Sequence, residues 1–302
     1  MGANFSSIFM DPATTCSLFG AFSPPIQQPP RRPTLGDLPE SCVAPILANL
    51  DPVEICKLAT LNRACRGASW ADFVWESKLP ENYRDLMERV LGVGNADGKR
   101  ISKREIYTRL CAANTIDDGS KKVWLDKTTG GVCLSLASKG LMITGIDDRR
   151  YWNHIPTEES RFSSVAYLQQ IWWFEVSGEF EFPFPAGTYS LFFRLQLGRT
   201  AKRFGRRICN TEHVHGWDKK PVRFELWTSD GQYASSQRFL NDTGKWNLYH
   251  AGDFVVHKDN DASMKKLKFS MTQIDCTHTK GGLCLDTVLV FPCKFRERLK
   301  HF

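Results

Sequence analysis

The stretch from Leu35 to Pro80 constrains this chain more than any other. It packs several helix-start signals and many apolar side chains into about 45 residues, near the lower limit at which a domain buries its own core. Asp37 precedes Leu38-Pro39, and a proline fits a first helical turn because its missing N–H had no intrahelical partner. Pro39, Val43, Ile46, Leu47 and Leu50 then follow a helical spacing, with Pro45 predicting a short or kinked helix. Asp51-Pro52-Val53-Glu54 is a stronger start, and Ile55, Leu58 and Ala59 form the apolar stripe behind it. Ser69 to Asp72 opens a third predicted helix that carries Phe73, Val74 and Trp75. So much apolar surface in so short a segment predicts a face shared with a partner.

The residues Leu38-Pro39-Glu40, Ile46 to Leu50, Asp51-Pro52, Leu58-Ala59, Asn62 to Arg66 and Trp75-Glu76 resemble an F-box in order and spacing. The resemblance implies docking on a Skp-type adaptor, and through it on a cullin-based ubiquitin ligase. The adaptor-binding residues it implies are Leu38, Pro39, Ile46, Leu47, Leu50, Ile55 and Leu58.

Composition is that of a folded protein, with 42% hydrophobic and 24% charged residues in 302, enough for a second core beyond the helical stretch. No apolar run reaches the roughly 18 residues of a membrane helix, and the start lacks a secretory pattern. Ten cysteines without tight spacing then read as free thiols in a reducing compartment, so the expected location is cytoplasm, nucleus or both. The net charge is +7, with basic residues gathered at Lys202-Arg203, Arg206-Arg207 and Lys294 to Lys300. Such clusters can meet phosphates, but a solvated face is the commoner use, so nucleic acid is the less favoured partner. Met1 to Ser6 fits the pattern for myristoylation at Gly2, which would give only weak, reversible membrane association.

Residues 1–34 are rich in Pro, with Gln27-Gln28 among them, and read as a disordered arm. Residues 35–80 are the helical domain. Residues 81–120 form a helical linker: Tyr83, Leu86, Met87 and Val90 share a face ended by Gly92, and Ser102 to Glu105 is a capping box. From 121 to 302 the period changes to that of strands. Tyr189, Leu191, Phe193, Leu195 and Leu197 alternate along one face; Val222, Phe224 and Leu226 do the same before a turn at Ser229-Asp230-Gly231. Many short strands between turn residues predict an antiparallel sandwich, so the fold class is multidomain, a small all-α domain followed by an all-β sandwich.

The second part resembles the phloem protein 2 lectins through Gly140 to Thr144, Tyr151-Trp152, Trp173 to Gly178, Gly187 to Tyr189, Gly216 to Asp218, Gly252 to Phe254 and Gln273 to Gly282. The whole chain is most similar to plant F-box proteins with that domain. The resemblance implies a jelly-roll-like lectin domain that binds N-acetylglucosamine oligomers or N-glycan cores. It marks Trp152, with Tyr151 beside it, as carbohydrate-binding; Trp217, Asp218 and Trp227 are further candidates, since sugar C–H faces stack on aromatics and hydroxyls need fixed polar partners. These lectins often carry Trp after the Leu-x-Ile-Thr run, where this chain has Gly145.

No pair of carboxylates stands out as a glycosidase would require, so no catalytic residue is expected. Cys209, His213 and His215, and Cys276, His278 and Cys284, lack a strong zinc spacing, so neither metal nor cofactor is expected. The reading is a non-catalytic, substrate-recognising ligase subunit whose sandwich holds a target, a glycoprotein among the options. A cytosolic lectin or stress protein without a ligase role, or an adaptor that has lost sugar binding, are the alternatives.

Overall fold

The structure is a computed structural model that describes residues 37–94, 101–203, 206–258 and 264–299. The predicted arm, with Gly2, lies outside the described residues. The helical part comprises α1 (Glu40–Ala48), α2 (Pro52–Leu58), α3 (Arg63–Ala68), α4 (Asp72–Glu76), α5 (Tyr83–Leu91) and α6 (Lys103–Cys111). Pro39, not Asp37, caps α1, and Pro45 sits inside it. Pro52 opens α2 as expected, although Asp51 makes no side-chain cap. Sequence reasoning missed α3, whose start is marked by Asn62 accepting from the Cys65 N–H at 2.7 Å. Gly92 ends α5 in the left-handed conformation, and the Ser102 hydroxyl caps α6 through the Glu105 N–H.

Val43, Leu47, Ile55, Val74 and Trp75 form the middle of this helical part. Their cluster continues through Tyr83, Leu86, Tyr107 and Leu110 into the strands. Trp75 packs on Tyr107 with ring centroids 5.3 Å apart, and the Tyr107 hydroxyl donates to the Lys127 carbonyl at 3.1 Å. The stretch 35–80 therefore serves the protein's own core as well as presenting a face to solvent.

The strands form two antiparallel sheets and a hairpin. The larger sheet contains β1 (Asn114–Ile116), β2 (Lys121–Leu125), β3 (Val132–Ala137), β5 (Trp152–Pro156), β6 (Ser164–Leu168), β8 (Gly187–Leu197), β13 (Trp246–Val256) and β15 (Leu283–Pro292). The smaller sheet runs β12 (Tyr233–Arg238), β11 (Val222–Thr228), β14 (Lys265–Gln273), β7 (Phe174–Phe182) and β4 (Met142–Ile143). The hairpin is β9 (Arg199–Arg203) with β10 (Arg206–Asn210), and α7 (Cys293–Leu299) closes the described chain. The sheets face each other: Phe193 of one meets Phe224 and Phe269 of the other at 5.5 and 5.8 Å.

β7 begins at Phe174, and Ile171 before it makes a single bridge to Lys280. One expectation changes here. β8 is buried on both faces, not one. Phe192 on its second face packs with Cys133, Leu289 and Phe291 against Trp124 and Phe295, since β8 runs between β13 and β15 in the middle of its sheet.

β15 pairs with β8 along one edge and divides its other edge between β6 and β3. The register slips between Leu285 and Thr287, a bulge that re-aims Asp286. Its carboxylate is fully buried, paired with Arg194 and accepting from the Ser160 hydroxyl at 2.5 Å. Arg194 lies 4.4 Å over the Trp246 ring and also donates to the Glu159 carbonyl at 3.0 Å. Replacing Asp286 with Asn leaves the guanidinium without its counter-charge; a loss of about 3–5 kcal/mol is expected in denaturant unfolding.

The predicted turn after β11 is present, and Gly231 takes its left-handed position at φ 85. Burial pushes the Asp230 carboxyl up, but hydrogen bonds from Lys265, Thr228 and Gln232 outweigh it and hold the group well below the usual carboxylate range. A carboxyl depressed in the folded state stabilises fully above its unfolded value, about 3.9, and loses that contribution as pH falls through the folded value. Unfolding followed from about pH 6 downward should show stability falling below about pH 4, and Asp230→Asn should flatten part of that slope.

Candidate functional site

Two surfaces stand out. On the helical part, Leu38, Ile46, Val53, Leu61, Trp70 and Phe73 are exposed, Leu61 at 70% and Trp70 at 60%. So many large apolar side chains left exposed in a short segment are unusual for a protein surface. The seven predicted adaptor-binding residues divide: Leu38, Pro39 and Ile46 are exposed, Leu50 and Leu58 are half-buried, and Leu47 and Ile55 are core. The last two cannot touch a partner while the helices stay folded. Val53, Leu61, Trp70 and Phe73 were missed; Leu61 falls outside the predicted helices, and Trp70, placed in the opening of the third, lies between α3 and α4.

The second surface is a cavity of about 850 Å³ beside the β5–β6 hairpin, whose lining includes Arg150, Tyr151, Asn153, His154, Tyr167, Gln170, Arg199, Asn210 and His213. The turn before β5 is tightly built. The Asp148 carboxylate accepts from the Arg150 N–H and, in a two-pronged pair, from its guanidinium; these bonds hold it below the usual range. The Asp148 carbonyl accepts the N–H groups of Tyr151 and Trp152 at 2.9 and 3.0 Å. Tyr151 is left half turned to solvent at the rim.

Trp152 is 2% exposed, which corrects the expectation that its ring faces a sugar. It stands opposite Leu168 on the core side of β5, because neighbours on a strand point to opposite faces. Its indole N–H donates to the Thr144 carbonyl at 3.1 Å. Trp217 is corrected for the same reason: it is 1% exposed and donates to the Gly281 carbonyl at 2.8 Å. Both rings flank Phe174, with centroids 6.3 and 5.0 Å away. Asp218 is exposed next to Trp217. Trp227 is partly exposed, as its alternation predicts, but on the outer face of the smaller sheet beside Tyr233, whose hydroxyl donates to Glu225 at 2.7 Å.

The aromatics that sequence reasoning missed are Trp172 and Trp173, exposed at 51% and 45%. Both lie in the bend just before β7, outside the strand. The Trp173 N–H is fixed on the Glu175 carboxylate at 2.9 Å. The segment before it is tied to the cavity: Gln169 and Gln170 line it, and the Gln169 N–H donates to the Tyr151 carbonyl at 2.8 Å.

The structure thus joins a helical module with exposed apolar side chains to an antiparallel sheet domain with a cavity beside Tyr151. The family described as Phloem protein 2 matches residues 131–292. Among curated relatives from Arabidopsis thaliana, F-box protein PP2-A12 is 67% identical over 90% of this chain and 92% of its own length. F-box protein PP2-A11 is 62% identical over 89% and 91%, and F-box protein PP2-A15 is 52% identical over 86% and 89%. The chain belongs to the phloem protein 2 family, among its plant F-box members.

Replacing Trp152 with Ala removes a core ring and should cost about 3–5 kcal/mol of stability. Replacing the rim residue Tyr151 with Ala should cost about 1 kcal/mol or less. Thermal unfolding of the two variants checks this contrast; equal losses would place Tyr151 in the core as well.

Proposed function

We propose that this protein is the substrate-recognition subunit of a Skp–cullin–F-box ubiquitin ligase, acting in the cytoplasm or nucleus. The observation that carries the reading is the apolar face of the helical part, where Leu38, Ile46, Val53, Leu61, Trp70 and Phe73 stand in solvent beside a well-filled core. Burying each of them on a partner would gain about 1.5–3 kcal/mol, enough in sum for stable docking of a Skp-type adaptor. The protein performs no chemistry itself in this reading; it raises the effective concentration of a target beside the ubiquitin-carrying enzyme.

The sandwich holds the target, and the cavity beside Tyr151 is where a glycan, such as an N-glycan core or N-acetylglucosamine oligomer, would enter. Tyr151 offers a ring face, and Asn153 and Gln170 offer amides to hydroxyls. Trp172 and Trp173 extend the aromatic surface toward the protein that carries the glycan.

Replacing Leu38 and Pro39 together with Ala should reduce capture of the adaptor by about tenfold or more while the sandwich melts unchanged. Co-purification with a Skp-type adaptor reads this out. Capture at the original level, with the double variant folded, overturns the ligase reading.

A further inference from the structure

We propose that the cavity beside Tyr151 takes an acidic oligosaccharide, one bearing carboxylate groups, and that Arg199 reads its charge. The inference rests on the glycan reading of the sandwich and names the class of glycan.

The lining is lopsided. Arg150 and Arg199 bring cations, His154 and His213 bring imidazoles, and Asn153, Gln169, Gln170 and Asn210 bring amides; among the described lining residues there is no Asp or Glu. A neutral sugar presents hydroxyls that both donate and accept, and a site built for it supplies acceptors. This lining supplies an excess of donors, which suits a ligand that brings its own anionic acceptors.

The cations are not equivalent. Arg150 is already engaged: its guanidinium lies 2.6 Å from the Asp148 carboxylate. Arg199 opens β9 opposite Asn210, so both strands of the hairpin contribute to one wall. Among the described residues no carboxylate lies within ion-pair range of Arg199. Burial and the neighbouring Cys284 push the Tyr167 phenol upward, and the Arg199 charge opposes them. A planar guanidinium with free donors is suited to a carboxylate in two-pronged geometry.

A nucleic acid would also answer to positive charge. However, among the described lining residues Tyr151 is the one Phe, Tyr or Trp ring with an open face, since Tyr167 is buried; the other open rings are the small imidazoles of His154 and His213. One large ring offers little to a run of successive bases. A volume of about 850 Å³ holds a short oligosaccharide.

The test is calorimetric binding of trigalacturonate, chitotriose and a short single-stranded RNA to the full chain, at about 50 and about 300 mM salt. Trigalacturonate should bind more tightly than chitotriose and weaken at the higher salt. Arg199→Gln should weaken trigalacturonate about tenfold or more and leave chitotriose unchanged. The salt dependence of the unaltered chain gives a readout that does not depend on the variant's folding. Chitotriose bound as well as trigalacturonate, without salt dependence, overturns the charge assignment and leaves the glycan reading standing. Failure of both sugars overturns the two together, and tight binding of the RNA alone overturns the acidic-sugar assignment.

Discussion

Lys280 is fully buried, and its ammonium donates to the carbonyls of Trp172 and Asp275. Burial holds the group below the usual lysine range, against the pull of Cys276 and Asp275. A cation in such a place is costly to desolvate, so its carbonyl partners are effectively obligatory. They lie on two segments distant in sequence. One carries the exposed Trp172 and Trp173; the other is the turn of Asp275 to Thr279, where the Asp275 carboxylate accepts from Thr277 and His278 bonds to the Gly216 carbonyl at 2.9 Å. The lysine thus closes the loop end of the sandwich from within and fixes the backbone on which its surface aromatics are displayed.

The column of Trp152, Phe174 and Trp217 fills the space below. Each tryptophan has both its apolar ring and its indole N–H satisfied inside the protein, the condition under which such a residue is buried stably. These side chains act by position: Trp152 anchors the turn that carries Tyr151, and Trp217 ties down the Gly281 segment. The helices share in the same framework through Trp75, Tyr107 and Lys127, so a partner held on the helical face meets a body packed onto the strands rather than a tethered one. For a ligase subunit this would restrict where a bound target can be presented.

The element types were legible because they depend on local pattern. Alternation of large apolar residues identified β8 and β11, and Pro52 and Gly92 marked where α2 begins and α5 ends. The misses have physical reasons. α3 is six residues long with few apolar ones, and only Asn62 announces it. The second buried face of β8 depends on which strands flank it, which alternation along one strand cannot say. Trp152 was named as a sugar residue through the family resemblance, and Trp217 as an aromatic beside Asp218; the parity of Trp152 against Leu168 puts its ring in the core, and parity needs the strand's register. The basic cavity was invisible, since its residues come from four separate stretches that only pairing brings together.

Gly145 shows how a departure at one position is absorbed by another. Its backbone is left-handed, with φ at 77, and a Cβ placed there would lie 3.1 Å from the Tyr151 ring and 3.8 Å from Ile171. A tryptophan would therefore strain the backbone and compete with Tyr151 for the same space. The chain has one rim aromatic where two would collide, and the glycine lets the turn close until Tyr151 covers it. Absence of a ring at 145 is thus the geometric condition for Tyr151 standing where it does. In the proposed glycan reading, the stacking face moves to Tyr151 while the lining beyond it is set by Arg199 and the amides, so a change in ring position and a change in preferred sugar belong to one rearrangement of the rim.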